Sequence, residues 1–215
     1  MKLNKLTTVL GFGIFIISSS MWSQSKSRID MENQKEAVAY FSGGCFWCVE
    51  AVYESVKGVS EAISGYAGGT TPNPTYEKVG YGKTDHAETV EVHYDPNVIS
   101  FSELVEVFFG SHDPTTLNRQ GPDTGTQYRS IAFYSNESEK KIIENYISKL
   151  TKDGIYDRPI VTEVQPIGIF YKAEDYHQNY ESNNPFSPYI INVSKPRFDR
   201  FKQNYSKYLK EDHHE

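Results

Sequence analysis

The chain has 215 residues, 38 % of them hydrophobic, a net charge of −6 and no stretch in which Lys and Arg cluster. That length buries a core without disulfide staples, and the acidic balance excludes nucleic acid as a partner, because phosphate contacts need a basic stripe. The only two cysteines, Cys45 and Cys48, are too few for the disulfide framework of a small secreted fold and direct attention to sulfur chemistry.

Residues 1–23 carry Lys2 and Lys5, an apolar run from Val9 to Ile17, and the small polar residues Ser18 to Ser20. This is the layout of a signal peptide, with cleavage near Ser23-Gln24, and it predicts an exported protein, periplasmic or extracellular. The apolar run is shorter than the roughly 20 residues of a bilayer span, so a permanent membrane anchor is the lesser reading. Loss of the leader takes the net charge two units further negative. Residues 24–34 are polar and read as a linker, and the folded domain is expected over 35–198.

Alternating apolar residues predict a strand over 36–42. Val49, Val52, Tyr53 and Val56 then recur at helical spacing and predict a helix over 46–57, reached through a Gly43-Gly44 turn that puts Cys45 at the helix start. A second strand runs from Ser60 to Tyr66. Residues 67–86, rich in Gly and Pro, read as one long loop, and a loop of that length in a small domain is often functional. Residues 87–94 alternate as a strand. Ser100 and Glu103 have the spacing of a capping box for a helix running to Phe109 and closed by Gly110. A second loop from His112 to Gly125 leads to a strand over 127–134. Ser135 or Asn136 caps a helix to about Lys152, followed by a strand from Ile160 to Ile169 and a short helix from Ala173 to Tyr180. The charged, Tyr-rich stretch from Lys195 on, with a C-terminal extension over 199–215, reads as a peripheral helix that frays at His213-His214. The order β-α-β-β-α-β is that of an α+β fold with a ferredoxin-like split β-α-β core and added elements.

Unpaired N–H groups and the positive dipole end at the helix start predict a thiolate-stabilised Cys45, with its pKa below that of a free thiol. Cys48 lies about one turn on, within reach of a disulfide, and a structural bridge or a pair of buried thiols fits the same spacing. On the strand 87–94, Glu88 shares a face with Val90, Val92 and Tyr94, whereas Glu91 and His93 point to solvent. A carboxyl on an apolar face is desolvated and favours its protonated form, which makes Glu88 a candidate general acid; pairing with a lysine is the alternative. Asp123, Tyr128 and Arg129 emerge from a loop into a strand, and Tyr76 sits on the long Gly/Pro loop. Each of these is also compatible with plain packing. No His pair follows the two cysteines at zinc spacing, and His86-Ala87-Glu88 stands in the wrong order for a zinc deaminase, so no metal is expected.

Taken together, several ordered blocks resemble the peptide methionine sulfoxide reductase A family: Gly43-Gly44-Cys45-Phe46-Trp47-Cys48-Val49-Glu50, Gly65-Tyr66-Ala67-Gly68-Gly69, Asn73-Pro74-Thr75-Tyr76, Asp85-His86-Ala87-Glu88, Tyr94-Asp95-Pro96, His112-Asp113-Pro114-Thr115, Gly125-Thr126-Gln127-Tyr128-Arg129-Ser130 and Ala173-Glu174-Asp175-Tyr176-His177-Gln178-Asn179-Tyr180. The resemblance covers about residues 36–198. It implies that Cys45 is the nucleophile that attacks the sulfoxide sulfur, that Glu88 protonates the sulfoxide oxygen, that Tyr76 and Tyr128 hold that oxygen, and that Asp123 helps position the substrate. Phe46 and Trp47 match the apolar wall for the methyl group on sulfur. The substrate implied is the S epimer of methionine sulfoxide, free or within peptides and proteins, with no metal or organic cofactor.

The chain departs from the resemblance in one respect. Many relatives carry resolving cysteines near the C-terminus, and the matching region, Asn184 to Tyr189, has none. The role falls to Cys48, to an external thiol or to a partner protein. Cys48 is the choice made here, because it lies one helical turn from Cys45. A Cys45–Cys48 disulfide would then be reduced by a thioredoxin-like donor. Two other readings keep the cysteine pair: a thioredoxin-type thiol–disulfide oxidoreductase, which needs no buried acid, and a secreted binding module in which the bridge is structural. Nothing in the sequence suggests an obligate interface, and a monomer is expected.

Overall fold

The computed structural model describes residues 36–211. The leader and the linker expected over 1–34 lie outside them, as do His213 and His214. In chain order the elements are β1 (Ala37–Gly43), α1 (Phe46–Glu54), β2 (Val59–Ala67), α2 (Tyr76–Gly80), β3 (Ala87–Tyr94), α3 (Phe101–Ser111), β4 (Arg119–Gln120), β5 (Asp123–Thr124), β6 (Ser130–Tyr134), α4 (Glu137–Lys152), β7 (Glu163–Pro166), β8 (Tyr171–Lys172), α5 (Tyr180–Asn183) and α6 (Lys195–Tyr205). Short 3-10 turns occupy 126–128, 175–177 and 206–208, and a π turn over Ile190–Ser194 leads into α6.

The main sheet has the order β7-β6-β1-β3-β2-β8. Its four central strands, β6-β1-β3-β2, are antiparallel, with α1 crossing from β1 to β2 and α3 from β3 to β6. This is the expected ferredoxin-like core. β7 adds in parallel beside β6 after the α4 crossover, and β8 adds antiparallel beside β2.

Strand alternation gives the sheet two apolar faces. On one, Ala39, Phe41, Val90, Val92 and Ala132 pack with the buried residues of α1 and α3. Phe41 stacks on Tyr53 of α1 at 5.2 Å and on Phe108 of α3 at 5.1 Å, tying both crossovers to the central strand. On the other face, Ile131 and Phe133 join Ala67 and Ala87 under Tyr40, Ile167 and Phe170. The capping box at Ser100 and Glu103 forms as expected, and Asn136 caps α4 by accepting from Ser138 and Glu139 N–H at 3.0 Å each.

The structure corrects several expected boundaries. The 67–86 loop contains α2, started by Thr75, whose hydroxyl accepts from Lys78 N–H. The 112–125 loop folds back as the β4–β5 hairpin. Tyr128 lies in a 3-10 turn and not in a strand. The strand expected over 160–169 pairs only over 163–166, ending where β6 ends at Tyr134, whose carbonyl still accepts from Ile167 N–H at 2.9 Å. The helix expected over 173–180 is split, because Asn179 turns left-handed at φ 53° between the 3-10 turn and α5.

The helix expected at the periphery packs instead into the molecule. Arg197, Phe201, Tyr205 and Tyr208 recur at spacings of three and four and form one inward face, with Phe201 only 1 % exposed. Beyond α6, Lys57 N–H donates to Tyr208 O and Lys210 N–H to Ser55 O, each at 2.8 Å, and Leu209 bridges to Val56. The described part of the C-terminal extension is therefore stitched to the end of α1, the helix that carries both cysteines.

Candidate active site

Gly43 and Gly44 end β1 and turn the chain into α1. Gly44 sits at φ +93°, and a Cβ there would lie 2.5 Å from Gln120 Cβ, so the turn needs glycine on both counts. Cys45 follows as the N-cap of α1. Its side chain accepts no hydrogen bond from the helix start, and the first N–H, that of Phe46, donates to Glu88 Oε2 at 3.0 Å. Both sulfurs are free thiols and buried.

This arrangement overturns the expected low pKa of Cys45. Burial pushes its thiol up, and the neighbouring Cys48 and Glu88 push in the same direction. The helix end that was to stabilise a thiolate is occupied by the carboxyl. Cys48 moves the opposite way, down to about 6, because Cys45 donates a hydrogen bond to it and Arg197 lies near it, against the opposing pull of burial. Within the pair Cys48 is therefore the sulfur that ionises more readily, and Cys45 the one that holds its proton more tightly.

Glu88 is 2 % exposed, on the inward face of β3 as its register predicts. Burial raises its carboxyl to about 8, Phe46 N–H pulls it back, and Asp123 and Cys48 add to the rise. At neutral pH it is mostly protonated, so the acid has a proton to give.

The aromatic wall is built from α1, α2 and the 173–180 segment. Phe46 is fully buried, and Tyr76 stacks on it with centroids 6.3 Å apart. Trp47 lies flat on Tyr180 at 3.7 Å and donates its indole N–H to His177 Nδ1 at 3.1 Å, which fixes its plane. Tyr76 N–H donates to Glu174 Oε1 and Tyr66 OH to Glu174 Oε2, each at 3.0 Å, so this carboxylate anchors the α2 loop over the site. Burial lifts the Tyr76 phenol to about 12 and the Tyr128 phenol higher still, and in both the charges of Glu88 and Cys45 contribute. Both phenols thus stay protonated, within electrostatic reach of the same two groups.

Asp123 enters from β5 and accepts a hydrogen bond from Tyr189 OH at 2.5 Å. The Tyr189 oxygen also lies 3.9 Å from Cys48 Sγ. Arg197, from the first turn of α6, donates to Gly43 O at 2.9 Å and to Ser111 O at 2.5 Å. The structure therefore brings Glu88, Tyr76, Tyr128, Asp123, Phe46 and Trp47 to the cysteine pair, turns Arg129 away to Gly68 O, Asp85 O and Glu163, and adds Tyr189, Arg197, Glu174 and His177. These four sit more than 80 residues from Cys45 in the chain, and no spacing signal ties them to it. Glu174 and His177 lie in one of the blocks that carry the family resemblance.

A separate cavity of about 470 Å³, lined by His112, Gln120, Arg158, Arg197 and Arg200 among others, lies behind the Gly44 turn and is not lined by Cys45, Glu88, Tyr76 or Tyr128. Among the described residues no group of three His, Cys, Asp or Glu side chains is placed to hold a metal ion, and no helix is long and apolar enough to cross a membrane.

Comparison with known proteins identifies the family. The pattern of the family described as peptide methionine sulfoxide reductase matches residues 37–209. A peptide methionine sulfoxide reductase MsrA of Deinococcus radiodurans is 46 % identical over 193 residues, covering 90 % of this chain and 94 % of the relative. That of Nautilia profundicola is 52 % identical over 163 residues, covering 76 % and 92 %. Among solved structures, Mxr1 from Saccharomyces cerevisiae in reduced form superposes with a TM-score of 0.65 at 36 % identity, covering 72 % of this chain and 89 % of that one. Methionine sulfoxide reductase A of Corynebacterium diphtheriae superposes with a TM-score of 0.63 at 40 % identity, covering 71 % and 76 %. With the fold, the buried acid beside the cysteine pair and these matches in agreement, the chain belongs to the peptide methionine sulfoxide reductase family.

Proposed function

We propose that this chain reduces the S-sulfoxide of methionine, free or in peptides, with Cys45 as nucleophile, Glu88 as general acid and Cys48 as resolving thiol. The observation that carries the reading is the Glu88 carboxyl, buried, held at the Phe46 N–H beside Cys45 and mostly protonated at neutral pH. A structural disulfide has no use for such an acid, and a thioredoxin-type centre leaves the Tyr76 and Tyr128 phenols without a role.

The sulfoxide oxygen is a poor leaving group until it is protonated. With the methyl group against Trp47 and the oxygen between Tyr76 and Tyr128, Glu88 gives that oxygen its proton. Moving the Cys45 proton across the hydrogen bond to Cys48 makes Cys45 the thiolate at the same moment. Cys45 sulfur then bonds to the substrate sulfur, whose protonated oxygen passes as hydroxyl to Cys45 sulfur; the substrate S–O and S–S bonds break, methionine leaves and Cys45 is left as a sulfenic acid. Cys48 attacks that sulfur, water departs, and a Cys45–Cys48 disulfide remains for a thioredoxin-like dithiol to reduce. We place this cycle in an exported protein on the leader pattern of residues 1–23; N-terminal sequencing of the protein recovered from its compartment tests that placement, and an uncleaved cytoplasmic chain overturns it.

The test of the roles is single-turnover reduction of a methionine sulfoxide peptide. Cys45→Ser releases no methionine, and Glu88→Gln is slower by a factor of about 10² or more, the range of a lost general acid. Cys48→Ser releases one equivalent and then stalls with a thioredoxin donor. An active Cys45→Ser protein removes the enzyme reading, and full recycling by Cys48→Ser removes the resolving role.

A further inference from the structure

The Tyr189 hydroxyl has one hydrogen and two neighbours. It donates that hydrogen to Asp123 Oδ2 at 2.5 Å, so its 3.9 Å contact with Cys48 Sγ is open only to an S–H that donates to the phenol oxygen. Once Cys48 carries the proton it takes from Cys45, the three groups form a directed chain, from thiol to phenol to carboxylate. The other titratable and charged groups around Cys48 are Cys45 on its own helix, Glu88 from β3 and Arg197 from α6, and Ser194 adds a hydroxyl.

We propose that Tyr189 and Asp123 form a proton relay that turns Cys48 into the attacking thiolate for disulfide formation, with Arg197 holding charge beside the sulfur. The proposal rests on Cys48 being the resolving thiol. It meets a need that the first step creates. Cys48 has taken the Cys45 proton by the time methionine leaves, so it begins the second step as a thiol. As its sulfur bonds to Cys45, the Cys48 proton passes to the Tyr189 oxygen and the Tyr189 proton to Asp123. The Cys45 S–O bond breaks, and the departing hydroxyl leaves as water with a proton from Glu88, which has recovered one from solvent. Thiol plus sulfenic acid gives disulfide plus water, and no outside oxidant enters. Burial raises Asp123 above an ordinary aspartate, which suits a carboxylate that must accept a proton. The Arg197 guanidinium, fixed on Gly43 O and Ser111 O, keeps positive charge close to the sulfur that ionises.

The experiment uses the full chain, one equivalent of a methionine sulfoxide peptide and no reductant, quenched over time. Released methionine is measured by chromatography, and the Cys45–Cys48 bond and the dimedone-trapped sulfenic acid by mass spectrometry. In Tyr189→Phe, which keeps the ring, disulfide formation falls at least tenfold relative to methionine release and the sulfenic acid accumulates. Its rate also rises with pH like that of an ordinary thiol, whereas the unaltered chain is flatter. Asp123→Asn keeps an acceptor for the phenol but no proton sink, gives the same lag, and stands as the test if Tyr189→Phe does not fold. Unaltered disulfide-to-methionine ratios and pH profiles in these variants overturn the relay. Absence of the disulfide in the unaltered chain overturns the resolving role itself, and the relay with it.

Discussion

At the residue scale, burial sets the protonation of the groups that matter, and two buried carboxyls, Glu88 of β3 and Glu50 of α1, show it with the same sign. Glu88 is raised to about 8 chiefly by burial. Glu50, one turn past Cys45 and 1 % exposed, is raised from 4.5 to about 7 by the same cause, although Ser64 Oγ and Asn179 N–H both donate to it at 2.5 Å. Each folded-state pKa lies above the unfolded value, so the stability these groups contribute is complete below pH 4.5. It falls as pH rises towards 7 for Glu50 and towards 8 for Glu88. Within its window each group costs about 1.4 kcal/mol per pH unit, because only the folded chain still binds the proton. Glu50→Gln keeps a carbonyl for Asn179 N–H and turns an amide towards Ser64, whose hydroxyl can accept. Urea unfolding midpoints measured between about pH 5 and 7 are therefore flatter for Glu50→Gln than for the unaltered chain. An unchanged slope sinks the assignment.

At the element scale, the β1–α1 turn decides where the nucleophile stands. Gly44 is held at φ +93° against Gln120, and Gln120 is itself fixed by Asp113, whose N–H it accepts at 3.3 Å and whose carbonyl it bonds at 3.1 Å. An added Cβ has to displace that side chain or the turn. Gly44→Ala thus carries about 1–3 kcal/mol of strain and moves Cys45 relative to Glu88. A displacement of about 1 Å can cost a factor of 10² in rate. The expected result is a lowered melting temperature together with a single-turnover rate reduced at least tenfold; an alanine variant equal to the unaltered chain in both refutes the role. This turn was readable from the sequence, because Gly43-Gly44 separates a period-two run from a period-3.6 run. So was the Glu88 register, which strand alternation sets. The protonation of Cys45 was not, because the helix start reads the same whether its first N–H is free or donates to a carboxyl 42 residues away. Tyr189 and Arg197 were equally hidden, since only the folding of the π turn and α6 against α1 brings them to Cys48.

At the scale of the whole molecule, the C-terminal helix is part of what holds the site. Phe201 is 1 % exposed and stacks on Tyr205 at 5.4 Å, and Tyr205 in turn lies against Gly110 of α3, whose added Cβ would meet its ring at 2.3 Å. The same helix presents Arg197 to Gly43 O at the end of β1, and the residues after it pair with Ser55, Val56 and Lys57 at the end of α1. One packed face therefore secures α3, the β1 turn and the helix of both cysteines. Phe201→Ala leaves a cavity at that junction, and truncating a buried phenylalanine costs about 3–5 kcal/mol. A peripheral helix would lose far less, because exposed side chains change stability by about 0.5 kcal/mol or less. Urea denaturation separates the two: a loss of several kcal/mol at unchanged denaturant slope fits the integrated helix, and a loss under about 1 kcal/mol refutes it. The functional companion is disulfide formation after one equivalent of sulfoxide. Phe201→Ala slows it more than methionine release, because Arg197 approaches Cys48 only from a docked α6, whereas Glu88 and Cys45 are joined directly through β3 and α1.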